Sequence, residues 1–505
     1  MQSHVKWIVA VLLAPPLALA GEQPSDTAAA LRRLEERLNE LQEQMRQKDR
    51  RIDELEGQVR SMRRQPGEPA SSHEALEQAV EQLERDRARA AGDRPPGILS
   101  VPVGGASQLR LIDISLDVLF AVGSSTERDE SLQTLQGGGH DPRKRGFTFQ
   151  QAELSFTGAV DPYLHGEAHV IFSIDPIDGE TIVELEEAFM QTQTLPWGLQ
   201  LEAGYFFTEF GLINPKHPHE WDWLDQPVIN TRVFGPDGLR QAGARLGWLT
   251  PLPWYSELHL GVQNSDGHTA ASFRGEGLGA HGHGDEEEEA HFEETIGGRP
   301  IVERETRSLG DLLYLLRWVN GWDLTDEFSM QIGGSALYGP NNTGGDAETW
   351  IYGGDLLVKW RPVAHDRGWP FITWQTEVIG RDFEAAAYAD PDEGIFIPAD
   401  TLSDWGLYTQ LLYGFHRNWA GGLRYEYASG SGASYEEGER ISRSDDPFRD
   451  DRHRISPLLL WQPTEFSRFR LQYNYDIASH LTGNDAHSVW LGVEFLFGAH
   501  PAHSY

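Results

Sequence analysis

Residues 469–476, with the sequence FRLQYNYD, alternate apolar and polar side chains. The same period of two runs through residues 112–120 and 164–175. Because successive side chains of a strand point to opposite faces, this pattern predicts β-strands with one apolar and one polar face. Such strands suit a water-filled barrel in lipid, but a soluble β-sandwich also alternates, so the pattern alone leaves both folds open.

The connections between the strands separate the two folds. We expect 16 strands, with starts near residues 109, 148, 164, 182, 198, 242, 254, 311, 326, 348, 370, 403, 418, 452, 467 and 486. Short connections alternate with long ones, and the longest cover residues 123–146, 209–241, 266–309, 382–402 and 430–451. Short turns at one end and long loops at the other are typical of outer-membrane barrels. The sequence therefore predicts an all-β fold, a 16-stranded antiparallel transmembrane β-barrel over residues 98–498.

Aromatic residues support this prediction. Nine of the 16 tryptophans lie beside the short connections, as expected for a girdle at a membrane interface. Residues 489–497 alternate and end in an aromatic side chain, much like the last strand of such barrels. Residues 499–505 would form a short C-terminal tail.

The N-terminal region has a different pattern. Residues 1–20 carry Lys6, an apolar stretch and a small-x-small motif, which predicts a cleaved secretory signal peptide. Residues 21–65 hold five heptads of apolar a and d positions, which predict a periplasmic α-helical coiled coil and self-association. These positions leave dimer and trimer open. Residues 66–97 would form a short helix and a proline-rich linker.

Composition restricts the partners. The net charge is −36 and the chain has no cysteine, so disulfides and thiolate metal sites are excluded. The negative charge argues against nucleic acid as a partner and favours attraction of cations.

The third outer loop, residues 209–241, is a candidate pore constriction; the second outer loop is the short connection near residues 176–180. The third loop combines prolines, aromatic residues and a His-x-His-Glu group. Its candidate constriction residues are His217, His219, Glu220, Asp222, Asp225, Arg232, Asp237 and Arg240. The alternative is a surface loop whose polar residues are simply solvated.

The connection 266–309 is a candidate metal-capturing loop. Imidazole and carboxylate together suit zinc, nickel or copper, although the spacing fixes no tetrahedral site. Its candidate ligands are His268, His281, His283, Asp285, Glu286, His291 and Glu293. The alternative is a solvated acidic loop.

Two motifs carry a resemblance to a known family. Residues 234–240, FGPDGLR, with GARL at 243–246, and the pattern NPxHPH at 214–219 resemble the zinc-regulated outer-membrane porins, relatives of the phosphate-selective O/P-type porins. The resemblance implies a trimeric barrel, passive diffusion and expression that rises when zinc is scarce. The chain departs from the lysine-rich pores of the phosphate-selective group, because its barrel region holds only Lys144, Lys216 and Lys359. A weaker arginine ladder could replace them, formed by Arg245, Arg317, Arg381, Arg424 and Arg470.

The leading functional expectation is a porin for zinc, other divalent cations or their small chelates, with zinc as a transported or loop-bound ion and no required cofactor. The alternative is a porin for anions or small organic solutes. An enzyme is not expected, because the chain has neither a Gly-x-Ser-x-Gly elbow nor a His-Glu-x-x-His motif. The expected partners are outer-membrane lipid, two further copies of the chain, and small solutes or metal ions.

Overall fold

The computed structural model of the chain describes residues 100–102, 108–110, 112–175, 179–275, 295–302 and 304–498. The expected signal peptide, coiled coil, linker and C-terminal tail lie outside these residues.

Sixteen antiparallel strands close into one barrel, which confirms the all-β barrel prediction. The strands are β1 (Asp113–Ser125), β2 (Gly146–Ala159), β3 (Leu164–Ile174), β4 (Thr181–Thr192), β5 (Leu199–Phe207), β6 (Arg240–Leu249), β7 (Tyr255–Asn264), β8 (Leu312–Asp323), β9 (Phe328–Pro340), β10 (Glu348–Trp360), β11 (Phe371–Ala385), β12 (Asp400–His416), β13 (Trp419–Ser431), β14 (Arg452–Thr464), β15 (Ser467–Ala478) and β16 (Asp485–Gly498). Each strand pairs with its neighbours in sequence, and β16 pairs with β1.

The observed strand starts lie within four residues of the expected ones, and the largest difference is at β1, which begins at Asp113 instead of near residue 109. The short strands Ser100–Pro102 and Gln108–Arg110 pair with each other and not with the barrel. The barrel wall therefore starts later than residue 98.

Strand β15 shows how the alternation is used. Arg470, Gln472, Asn474 and Asp476 are at most 2% exposed, because they face the interior of the barrel. The intervening side chains point outward, and Leu471 is 48% exposed. The barrel thus has a polar interior and an apolar exterior, the reverse of a water-soluble protein.

Short and long connections lie at opposite ends of the barrel, as expected. At one end of the barrel, short turns join the strands, as at 160–163, 324–327 and 417–418. The other end carries the longer connections, and the third of these in chain order is residues 208–239. Tryptophans collect at the short-turn end, where Trp419 stacks on Trp461 with ring centroids 5.7 Å apart.

Two seven-residue helices lie in the long connections, α1 (Asp129–Leu135) and α2 (Val228–Phe234). Single 3-10 turns cover Pro196–Gly198, Pro218–Glu220, Leu309–Asp311 and Arg443–Asp445. In the described part of the chain, no helix has the length and apolar character needed to cross a membrane.

Candidate functional site

The connection 208–239 folds into the interior of the barrel. Its apolar residues, among them Phe210, Ile229 and Phe234, form one buried cluster with inward-facing residues of the wall such as Leu337 and Tyr408. The backbone approaches the wall so closely that a side chain at Gly211, where φ is 66°, would collide with Glu377. The loop is therefore packed against the inner wall and is not a solvated surface loop.

Asp225 is the central polar anchor of this loop. Its carboxylate accepts hydrogen bonds from Arg454 at 3.0 Å, Gln472 at 2.8 Å and Asn474 at 2.9 Å, and also from Arg424. Burial alone would raise the pKa of Asp225, but Arg424 and Arg454 hold it below its ordinary value of 3.8. Asp225 thus ties the loop to three strands, β13, β14 and β15.

The second anchor lies at α2. Arg232 donates to the carbonyl of Asp450 at 2.8 Å, and its own carbonyl accepts from Arg381 at 2.8 Å. At the end of the loop, Arg240 pairs with Glu184 and donates to the carbonyl of Asp237. Three of the eight expected constriction residues, Asp225, Arg232 and Arg240, therefore fix the loop to its surroundings.

A cavity of about 770 Å³ lies between the loop and the short-turn end of the barrel. Lys216, Glu220 and Asp222 of the loop line it, together with residues of four short turns, at 324–327, 361–370, 417–418 and 465–466. Charged side chains of the wall, including Lys359, Arg468 and Glu494, complete the lining. Of the expected constriction residues, Glu220 and Asp222 thus face this space.

Two further expected constriction residues, His217 and His219, point into a cluster of imidazoles and carboxylates. We call this group the lumen cluster; it consists of Glu153, His169, Glu186, Glu187, His217 and His219. Glu153 lies on β2, His169 on β3, and Glu186 and Glu187 on β4. The loop supplies the two remaining histidines from a 3-10 turn at Pro218–Glu220, in which Glu220 accepts from the His217 amide at 3.2 Å.

A β-bulge explains why two consecutive glutamates of β4 face the interior. His169 lies opposite Glu187 and Val170 opposite Leu185, so Glu186 is an extra residue with no partner on β3. A bulge shifts the alternation of side chains by one position. As a result, Glu186 and Glu187 are both buried in the lumen.

The cluster distances are short. His217 Nδ1 lies 2.7 Å from Glu186 Oε2 and 3.4 Å from Glu153 Oε1, and His217 Nε2 lies 2.9 Å from Glu187 Oε2. His219 Nδ1 lies 2.9 Å from Glu153 Oε2. His169 Nδ1 lies 2.9 Å from Glu153 Oε1.

The carboxylates favour protonation of the two loop histidines. Burial would lower the pKa of His217, but Glu153 and Glu186 raise it well above its ordinary value of 6.5. Burial opposes protonation of His219 in the same way, and Glu153 raises the pKa of His219 to about 9.

Asp117 of β1 adjoins the lumen cluster. It lies directly opposite Glu153 in the β1–β2 pairing and interacts electrostatically with Glu153 and His219. Asp117 is 4% exposed, and its two carboxylate oxygens have no hydrogen-bond partner within the described part of the chain. It is a buried acidic group that interacts with one imidazole of the loop, His219.

The expected metal-capturing loop is described only in part. His268 Nε2 lies 3.1 Å from Glu184 Oε1, and this contact raises the pKa of His268 above 6.5. The other expected ligands, His281, His283, Asp285, Glu286, His291 and Glu293, lie outside the described residues. The metal-capturing loop therefore stays a prediction.

No family model matches the chain. A relative from Aquifex aeolicus (strain VF5), described as an uncharacterized protein, is 28% identical over 412 residues, which cover 78% of this chain and 80% of the relative. Among solved structures, the chain is similar to the outer-membrane channel DcaP of Acinetobacter baumannii, with a TM-score of 0.48 and 10% identity over 76% of this chain and 97% of that one. The anion-selective porin from Comamonas acidovorans has a TM-score of 0.44 and 9% identity over 76% of this chain and 99% of that one. Similarities this distant assign neither a function nor a ligand to this chain.

Sequence reasoning missed the wall half of the lumen cluster, namely Glu153, His169, Glu186 and Glu187. These residues lie on the polar faces of their strands, where alternation does not distinguish them from other lumen residues. One signal was present: the adjacent acids Glu186 and Glu187 interrupt the alternation of β4. Two neighbouring charges in a strand indicate a bulge that directs both to the polar side.

Proposed function

We propose that this chain is an outer-membrane channel through which small hydrophilic solutes diffuse passively. The observation that carries the proposal is the reversed polarity of the closed barrel. Its exterior presents large apolar side chains such as Leu411, Leu423 and Leu471, each 47–53% exposed, around the wall. An apolar exterior of this extent is stable against lipid and not against water, and closure satisfies every strand edge.

The width of the barrel supports a channel. A barrel of 16 strands is wide enough to enclose an aqueous passage. Here the loop 208–239 narrows that width, and Glu220 and Asp222 border the cavity below it. In this proposal the loop sets which solutes pass, and the expected constriction residues either line the passage or hold the loop in place.

We propose divalent cations, zinc among them, or their small chelates as the solutes, because the expected arginine ladder is neutralised. Each of its five members pairs with a carboxylate, and Arg317–Asp355 and Arg381–Asp404 are two such pairs, both at 2.6 Å. The remaining pairs are Arg245–Glu202 at 2.9 Å, Arg424–Glu426 at 2.7 Å and Arg470–Glu494 at 3.0 Å. Paired arginines offer little net positive potential to an anion, whereas the chain as a whole carries a charge of −36.

A homotrimer remains part of the proposal. The heptads of residues 21–65 favour association, and the resemblance to trimeric porins favours three copies. Chemical cross-linking of the detergent-solubilised protein would give a band of three chains, and a band of one chain only would contradict this part.

The test is conductance in planar lipid bilayers. The full-length protein should form channels, and a salt gradient across the bilayer should give a reversal potential of the sign for cation selectivity. The opposite sign would favour the alternative, a porin for anions or small organic solutes. Absence of any channel activity would overturn the proposed function itself.

A further inference from the structure

We propose that the lumen cluster binds one divalent transition-metal ion, with Glu153, His217 and His219 as its ligands. The inference rests on the proposed function, because an ion bound inside the barrel bears on transport only if the barrel is a channel. It places the ion in the lumen and not in the outer loop 266–309.

The ligand atoms are close enough together. In the set Glu153, His217 and His219, and also in the set His169, Glu187 and His217, the potential ligand atoms all lie within 4.8 Å of one another. Zinc bonds of about 2.0–2.2 Å in a tetrahedron place the ligand atoms roughly 3.3 Å apart. Glu153 Oε2 lies 2.9 Å from His219 Nδ1 and Glu153 Oε1 lies 3.4 Å from His217 Nδ1, so the two oxygens of one carboxylate contact the two imidazoles, and side-chain rotation would bring the three ligands around one ion.

The chemistry of the ligands restricts which metal ions can bind. Imidazole nitrogen and carboxylate oxygen together suit zinc, nickel and copper, whereas calcium and magnesium prefer oxygen ligands only. Two histidines and one carboxylate leave one position of a tetrahedron for water or solute, which is typical of sites that exchange ligands. His169 and Glu187 surround this set as hydrogen-bonding neighbours that would orient it.

Glu153 differs from three other buried carboxylates of the lumen, which have arginine partners. Asp225, Asp355 and Asp404 each pair with an arginine. Glu153 is 0% exposed, and its partners in the described residues are Gln151, Ser155 and three imidazoles. Buried carboxylates need a positive partner, and of these five partners the three imidazoles can carry positive charge and can also bind a metal ion.

Asp117 provides a second, independent observation. Its buried carboxylate lies opposite Glu153 and has no hydrogen-bond partner in the described part of the chain. A buried and unsatisfied acid next to Glu153 is costly unless positive charge lies close by. His219 and Arg468 face this carboxylate, and a divalent ion between Glu153 and His219 would take the place of the proton on His219 and bring a second positive charge.

An ion could reach the cluster from the cavity at the short-turn end. Arg468 lines this cavity and donates to the carbonyl of His219, so the cavity wall and the ligand turn are in direct contact. Glu220, the next residue of the same turn, also lines the cavity. The site thus adjoins the space through which solutes are proposed to move.

The competing explanation is that these His–Glu contacts only lock the loop to the wall. Both explanations predict that the residues are buried and close together. They differ in whether the folded protein takes up a metal ion at this position, so metal binding is the measurement that separates them.

The experiment titrates zinc chloride into the full-length protein, purified in detergent and freed of metal with a chelator. Isothermal titration calorimetry should show one ion per chain, and X-ray absorption at the zinc edge should show imidazole ligands. H217Q and H219Q should each weaken binding at least tenfold, whereas H416Q, the matched control at an exposed histidine of β12, should leave it unchanged. No zinc uptake by the wild type, or wild-type affinity in both H217Q and H219Q, would overturn the inference.

A second measurement, on the wild-type protein, tests the inference even if the variants fail to fold. Anomalous scattering from zinc-soaked crystals of the wild-type protein should place an ion between Glu153, His217 and His219, and an ion found only elsewhere would overturn the inference. Bilayer conductance reports on the channel separately. A protein that conducts without binding zinc contradicts the metal site alone, and one that binds zinc without conducting contradicts the proposed function alone.

Discussion

Arg454 of β14 donates a hydrogen bond of 3.0 Å to Asp225 of the inward-folded loop, although the two residues are 229 positions apart in sequence. Both side chains are fully buried, and Arg424 pairs with the same carboxylate. This three-residue ion network fixes the loop across the lumen.

Replacing Asp225 should release the loop. In D225N, Arg424 and Arg454 lose their shared anion but keep Glu426 and Asp476, so the cost should stay below the about 3–5 kcal/mol of a buried charge left without a partner. We expect a larger and noisier single-channel conductance in planar bilayers, with the barrel still folded by heat-modifiable electrophoresis. D445N, an exposed position in another long connection, is the control and should conduct as the wild type does. Unchanged conductance in D225N would contradict the anchoring role.

The same contact should respond to acid. Because Arg424 and Arg454 hold the pKa of Asp225 below 3.8, the contact stabilises the loop fully above pH 3.8 and weakens as pH falls through the lowered pKa. Conductance should therefore rise as pH is lowered below about 3.8. The neutral side chain of D225N should remove this step. If D225N shows the same step as the wild type, another group is responsible.

Lysines at the cavity should control ion selectivity. Lys216 and Lys359 both line the cavity below the loop. The double substitution K216E/K359E exchanges two positive charges for two negative ones and should shift the reversal potential further toward cations. Lys144 does not line this cavity, so K144E is a control with the same type of change at one position. An equal shift in K144E would mean that overall charge, and not the cavity, sets selectivity.

The tryptophans of the short-turn end should anchor the barrel at the lipid interface. Trp197 is 83% exposed there. W197S should lower the free energy of unfolding in lipid vesicles by about 1 kcal/mol, since an amphipathic ring gains energy at that depth. The matched control is F396S in a hairpin of a long connection, where the aromatic ring is 67% exposed. Urea titration followed by fluorescence measures both, and equal losses would contradict an interfacial role for Trp197.

The sequence was sufficient to locate the strands, because an alternating pattern combined with short and long connections restricts where each strand begins. In β15, each polar position from Arg470 to Asp476 proved to face the lumen. Contacts of the loop could not be inferred this way, since Asp225 and Arg454 are joined only by the closed fold. The arginine ladder was an intermediate case: Arg245 lies opposite Glu202 in the β5–β6 pairing, so an explicit register would have predicted their neutralisation.

Because β16 pairs with β1, the barrel closes only when β16 is in place. Eleven residue pairs, from Ser488–Ser125 to Gly498–Ser115, join the last strand to the first. Without β16, the facing edges of β1 and β15 would expose unpaired amide and carbonyl groups to hydrocarbon, at a cost of several kcal/mol for each group. Assembly in the bilayer therefore depends on β16, and a chain truncated before Asp485 would lack the strand that closes the barrel.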